Sequence, residues 1–258
     1  FWLPRAYGNA TAPVAALFAV MTKVGIYAII RTSTVIFSAG PLTGLTSGWL
    51  VPVALVTLLI GVAGVAAADR LQVLVGYLVI VSVGTILTGV GVGGVDGIAA
   101  ALYYTVHSTF VTAGLFLLAD FISLKRPDGG DSLEAGTSAL EGDTWLALTF
   151  FLGSLMVVGL PPTSGFLGKV FILDAAMSSV WAPVAWAVIL GGGLLAIIAV
   201  VYAGSRLFWE TDEGTAHHKV RGRDRILGVV LLLGLSVGWT VWAGPAYDYM
   251  TQDRKSVV

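Results

Sequence analysis

The sequence predicts an all-α fold, a polytopic transmembrane helix bundle of about seven crossings with one discontinuous helix. Three observations lead there. The chain is 57% hydrophobic and only 11% charged, against about 25% charged in an ordinary soluble domain, and its mean hydropathy is +0.90. Apolar runs close to the roughly 20 residues that cross a bilayer recur along its whole length. One of those runs is broken by Gly159-Leu160-Pro161-Pro162-Thr163-Ser164-Gly165-Phe166-Leu167-Gly168-Lys169, which sets two prolines and then a lysine where lipid would be expected.

Taken in order, the predicted spans are Pro13–Phe37, Trp49–Ala68, Val73–Val92, Ile98–Ile122, the broken Trp145–Met177, Trp181–Phe208 and Ile226–Tyr247. Pro13 suits a first helical turn, where a missing N–H does no harm. Trp49, Trp145, Trp181, Trp209 and Trp242 fall near the ends of spans, where indole rings anchor at the membrane interface. Glycines within the spans, among them Gly84, Gly89, Gly91, Gly114 and Gly191-Gly192-Gly193, let helices approach closely. In the broken span, Pro161 and Pro162 remove two backbone donors and separate a half-helix from Trp145 to Leu160 from one over about Ser164 to Met177. Such breaks are tolerated at membrane depth only where the unwound backbone is buried in protein or lines a water-filled cavity.

Counting crossings puts Arg5, Arg70, Lys125, Arg126, Arg206, Lys219, Arg221, Arg223 and Arg225 on the side of the N-terminus, and only Arg31, Arg254 and Lys255 on the other. The positive-inside rule makes the first side cytoplasmic and places the C-terminus outside. Residues 1–258 then form one transmembrane domain, with cytoplasmic loops at 125–144 and 210–225. Phe1 in place of Met, without a signal-peptide pattern after it, suggests the later portion of a longer protein. The formal net charge of −1 gives no basis for nucleic-acid binding, and the absence of cysteine excludes disulfides and thiolate-held clusters. No cofactor is expected. His217 and His218 are adjacent on a charged loop, a setting in which histidines are more often solvated than metal-bound.

The informative residues are those that a lipid-facing helix would not carry. Lys23 lies near the middle of its span, too deep to reach an interface easily. Desolvation disfavours a charged ammonium, so a lysine there is suited to taking and releasing a proton; the other reading is a structural lysine paired with a carboxylate. His107 is midway through its own span, with Tyr103 and Tyr104 four and three residues earlier on the same helical face. Its ordinary pKa of about 6.5 suits a relay, and a histidine used only as filler is costly at this depth. Lys169 follows the break by about one turn, near backbone groups that the break leaves free. Asp174, five residues on, lies about 140° around the helix and is no obvious partner. Ser82, Thr85 and Thr88 give one helix a hydroxyl-bearing face, used either for bonds to the helix's own carbonyls or to line a water path. Thr112 and Ser164 are further candidates for lining a polar path.

These motifs in this order resemble a known family. Phe1-Trp2-Leu3-Pro4-Arg5-Ala6, Ala12-Pro13, Thr22-Lys23-Val24-Gly25-Ile26-Tyr27-Ala28-Ile29-Ile30-Arg31, Asp69-Arg70-Leu71 with Gly76-Tyr77, His107 with Ala113-Gly114-Leu115-Phe116-Leu117, and the whole broken stretch to Lys169 resemble the antiporter-like subunits of respiratory complex I and of Mrp cation/proton antiporters. Within that family the D-type subunits of Mrp antiporters are the most similar. The resemblance weakens after about Trp181. It implies a fourteen-helix fold with two inverted repeats, each with a broken helix, of which this chain would supply the C-terminal half. It also implies that Lys23 is the central lysine between two half-channels, His107 a relay, and Lys169 the terminal site on the second broken helix. Thr112 stands where many members carry lysine, and Ser82 where some carry another histidine.

The resulting expectation is a secondary transporter subunit rather than an enzyme, passing protons through Lys23, His107 and Lys169 in exchange for a monovalent cation, with Na+ the leading choice. Its partners would be other hydrophobic subunits and the lipid bilayer, in a prokaryotic plasma membrane. Two alternatives remain open: a redox-driven pump subunit of complex I or of a membrane-bound hydrogenase, and a non-conducting scaffold.

Overall fold

Inside a bilayer an apolar segment can satisfy its backbone within itself only as a helix, and the ten described elements are all helices. The computed structural model describes residues 2–35, 47–126, 130–133, 144–209 and 223–255. In chain order they are α1 (Leu3–Asn9), α2 (Ala12–Val35), α3 (Ser47–Ala66), α4 (Leu71–Val92), α5 (Gly94–Lys125), α6 (Thr144–Val158), α7 (Ser164–Ala176), α8 (Ala182–Phe208), α9 (Arg223–Val241) and α10 (Ala243–Lys255). Five of these, α2, α3, α4, α5 and α8, are each long and apolar enough to cross a membrane. A sixth crossing is possible if α9 and α10 count as one bent pair, and the short α6 and α7 are the two halves of the broken span.

Burial decides the layering. Over their apolar cores α4 is 78% and α5 67% buried, whereas α2 and α8 are each only 28% buried. Thus α4 and α5 form the centre, while α2, α3 and α8 turn residues such as Leu17, Met21, Val56, Ile60, Leu194 and Ile198 outward. Small residues set the closest seam. A Cβ added at Gly84 would lie 2.7 Å from the Leu58 nitrogen and 2.8 Å from the Ala54 carbonyl oxygen, and one at Gly91 would lie 2.9 Å from the Val51 nitrogen. Only glycine there lets the α3 and α4 backbones meet. Trp49, Trp145, Trp209 and Trp242 are all exposed at helix ends.

The last span departs from the sequence expectation. Ile226–Tyr247 is not one helix: α9 stops at Val241, and α10 leaves at 72°. Pro245 lacks the N–H that would reach back to Val241, and its ring crowds that carbonyl, so a straight helix cannot continue.

At the opposite end of α4, the segment after α5 is pinned. Leu71 N–H donates to the Asp131 carbonyl at 2.8 Å, and Leu133 N–H to that of Asp69 at 2.7 Å. The Asp131 carboxylate accepts from Arg70 Nε at 2.8 Å and from the Gln72 N–H at 3.1 Å. Arg126 and Arg206 reach the Ser132 and Leu133 carbonyls at 2.6 and 2.7 Å. Arg70, Arg126 and Arg206, which the crossing count put on one side, thus gather at one end of the bundle. Asp131→Ala is expected to cost about 1–3 kcal/mol locally, because it strands a buried amide. Hydrogen exchange should quicken at Leu71, Gln72 and Leu133 while α4 and α5 keep their protection. Of the two expected loops, residues 127–129, 134–143 and 210–222 lie outside the described residues, as do His217 and His218. Among the described residues no cluster of three or more ligating side chains is arranged to hold a metal.

Candidate functional site

The break in the fifth span is a capped helix end followed by a capped helix start. Gly159, at φ +77°, takes the left-handed conformation that suits glycine. Its N–H donates to the Met156 carbonyl at 3.1 Å, and the Leu160 N–H to that of Leu155 at 3.0 Å, the pairing that ends a helix on glycine. The Pro161–Pro162 bond is cis. Thr163 then caps α7, its hydroxyl accepting from the Phe166 N–H at 3.4 Å. A helix end exposes carbonyls and carries about half a negative charge. Here two side chains from the predicted set use those carbonyls.

Lys169, buried on α7, folds back so that its Nζ donates to the Val158 carbonyl, the last of α6. His107 on α5 donates from Nε2 to the Met156 carbonyl at 3.1 Å. A carbonyl can only accept, so Nε2 carries the hydrogen. The approach depends on Gly165, where an added Cβ would lie 2.5 Å from the Met156 oxygen and 2.6 Å from His107 Nε2. The other ring nitrogen, Nδ1, lies 2.7 Å from Ser164 Oγ and 3.2 Å from Ser236 Oγ. The broken helix therefore meets His107 twice, through a carbonyl before the break and a hydroxyl just after it.

Lys23, midway along α2 and 3% exposed, donates from Nζ to Ser82 Oγ on α4 at 3.0 Å. Ser82 passes its own hydrogen to the Val79 carbonyl at 2.7 Å. Neither Lys23 nor Lys169 has a carboxylate partner among the described residues, so the paired structural lysine considered from the sequence has no such partner there. Three buried basic side chains thus occupy three helices: α5 of the central pair, and α2 and α7 beside it.

The remaining predicted residues divide. Tyr104 joins the site, its ring 5.6 Å from that of His107 and its hydroxyl facing Thr85 on α4. Tyr103 turns away: it stacks on Trp239 at 5.5 Å and donates to the Trp239 carbonyl at 3.2 Å. Thr85, Thr88 and Thr112 donate to carbonyls of their own helices at 2.9, 2.8 and 2.6 Å, the back-bonding alternative. Asp174 is exposed at the end of α7, apart from Lys169. Sequence reasoning missed Ser236, although a hydroxyl in the run Leu231-Leu232-Leu233-Gly234-Leu235-Ser236-Val237 met the same criterion as Ser82. It also did not single out the Met156 and Val158 carbonyls, which no side-chain pattern can announce.

Comparison with known proteins gives this arrangement a context. The family described as "NADH:quinone oxidoreductase/Mrp antiporter, TM" matches residues 1–195. The D-type subunit of a probable K(+)/H(+) antiporter from Rhizobium meliloti (strain 1021) is 37% identical, over 97% of this chain and 51% of that protein. The D-type subunit of the Na(+)/H(+) antiporter from Alkalihalophilus pseudofirmus (strain ATCC BAA-2126 / JCM 17055 / OF4) is 35% identical, over 98% of this chain and 50% of that protein. A chain in the Mrp complex structure from Dietzia sp. DQ12-45-1b superposes with a TM-score of 0.80 at 24% identity, covering 97% of this chain and 54% of its own length. The chain spans about half the length of the curated relatives it matches. It belongs to the NADH:quinone oxidoreductase/Mrp antiporter transmembrane family.

Proposed function

We propose that this chain is an ion-translocating part of a multisubunit monovalent cation/proton antiporter, in which protons pass among Lys23, His107 and Lys169 in exchange for a cation. One observation carries this reading. Among the described residues, each of the three basic groups is buried without a carboxylate and held by hydroxyls or by carbonyls at the helix break. Such groups can change charge without breaking an ion pair, whereas a fixed structural charge needs one. In this reading Tyr104, Thr85 and Ser82 carry protons between Lys23 and His107, with water completing the connection.

The relatives are named for K+/H+ and Na+/H+ exchange, and we favour Na+ as the exported ion. The partners are the other hydrophobic subunits of the complex. The membrane is a prokaryotic plasma membrane, with the Arg70–Arg126–Arg206 end and the loops at 125–144 and 210–225 cytoplasmic and the C-terminus outside.

The test uses inside-out vesicles carrying the intact assembly, with a ΔpH-sensitive dye and added Na+ or K+. His107→Ala and Lys169→Met are each expected to slow exchange at least about tenfold, as a barrier rise of some 1.4 kcal/mol would. Full exchange in both variants overturns the reading. The family description also spans redox-driven assemblies; co-purification with iron–sulfur subunits would select that alternative.

A further inference from the structure

Hydroxyls in this bundle differ in where they bond. Thr85, Thr88, Thr105, Thr112 and Ser154 each donate to the carbonyl four residues earlier in their own helix. Ser164 and Ser236 make no such bond, and both are fully buried. Their polar contacts run between helices. Ser164 Oγ lies 2.7 Å from His107 Nδ1, 3.1 Å from Ser236 Oγ and 3.1 Å from the Ser236 carbonyl oxygen. Ser236 Oγ lies 3.2 Å from the same Nδ1. Ser236 shares the buried stripe of α9 with Val229 and Leu233, where an apolar side chain would ordinarily sit.

We propose that Ser236 on α9 is a second proton-exchange partner of His107, forming with Ser164 a pair of rotatable hydroxyls that serve Nδ1 in both charge states of the ring. This rests on the reading of His107 as a proton carrier. The Met156 carbonyl keeps a hydrogen on Nε2 in either state, so charge is gained and lost at Nδ1. In neutral His107 the Nδ1 lone pair accepts from one of the two hydroxyls. In the charged ring, Nδ1–H donates to Ser164 Oγ. Ser164 then turns its own hydrogen to the Ser236 carbonyl, and the Ser236 hydroxyl donates to Ser164 Oγ. The arriving proton comes from an ammonium or a hydronium of the polar row and adds to a hydroxyl oxygen of the pair as that hydroxyl's own hydrogen passes to Nδ1. One N–H bond forms, one bond to the donor breaks, and one positive charge moves onto the ring. Every polar hydrogen keeps an acceptor throughout, so no helix has to shift.

Because either hydroxyl can reach Nδ1, the two are redundant, and the test is a double-mutant cycle in the intact assembly. Ser164→Ala and Ser236→Ala are each expected to slow exchange only a few-fold. The double variant should slow it by about tenfold more than the product of the two, within the range of coupling for residues that share a partner. In Ser164→Ala/Ser236→Thr, exchange should return to the level of Ser164→Ala. Nitrogen NMR of ¹⁵N-labelled histidine gives a readout independent of transport. The Nδ1 signal of neutral His107 should stay hydrogen-bonded in both single variants and become that of a free acceptor in the double variant. Multiplicative losses with an unchanged Nδ1 signal overturn the assignment of Ser236. Intact exchange in His107→Ala overturns the carrier reading instead, while the nitrogen signal still reports whether Ser236 serves Nδ1.

Discussion

Replacing Lys23 by alanine is expected to abolish exchange, a loss of well over tenfold, while leaving the fold at least as stable as before. The two halves of this expectation have one cause. Among the described residues the ammonium has one hydrogen-bond partner, Ser82, whose own hydrogen is already placed on the Val79 carbonyl. Removing the lysine therefore strands no donor and relieves the cost of burying a charge. Lys23→Arg separates proton transfer from simple charge. A guanidinium stays protonated at any relevant pH, so arginine keeps the positive charge but cannot release a proton, and exchange should remain lost. Vesicle assays alongside thermal melting of the solubilised assembly check both variants. Full exchange in Lys23→Arg would show that Lys23 acts only as a fixed charge.

The second large effect is expected at Gly165. An alanine methyl there would press on the Met156 carbonyl and His107 Nε2, which define the hydrogen bond between α5 and the broken helix. Neither a backbone carbonyl nor a buried ring can yield easily, and overpacking of this kind costs about 1–3 kcal/mol. Gly165→Ala should lower the melting temperature and slow exchange at least about tenfold, because His107 loses the contact that fixes which nitrogen is free. Gly191→Ala is the control: no neighbour lies within 4 Å of the added methyl, so melting and exchange should stay near wild type. Equal behaviour of the two variants would mean that the close approach at Gly165 has no role.

Much of the architecture was legible in the chain because its signals are local. Apolar runs locate α2, α3, α4, α5 and α8 to within a few residues, since a helix must hide its backbone from lipid over a fixed thickness. The interruption at Gly159-Leu160-Pro161-Pro162 was equally local, because a left-handed glycine followed by prolines cannot propagate a helix. The bend before α10 was missed, although Pro245 is a local signal too: the run was judged by its hydropathy, and one proline scarcely changes that.

The sequence by itself also determined which polar residues stand out. Lys23, His107 and Lys169 are conspicuous because ionisable groups are expensive at membrane depth, whatever surrounds them. What only the tertiary structure decided is whom each of them meets. The His107–Ser164 and His107–Ser236 contacts join residues 57 and 129 positions apart, and the turn of Tyr103 toward Trp239 spans 136. Helical periodicity gives the face on which a side chain leaves its helix, but not which neighbouring helix lies opposite. That choice rests on how small residues such as Gly84 and Gly165 let backbones approach. The broken helix shows the division clearly: its prolines and glycine announce that carbonyls will be freed, and only the packing of α5 and α7 against α6 assigns those carbonyls to His107 and Lys169.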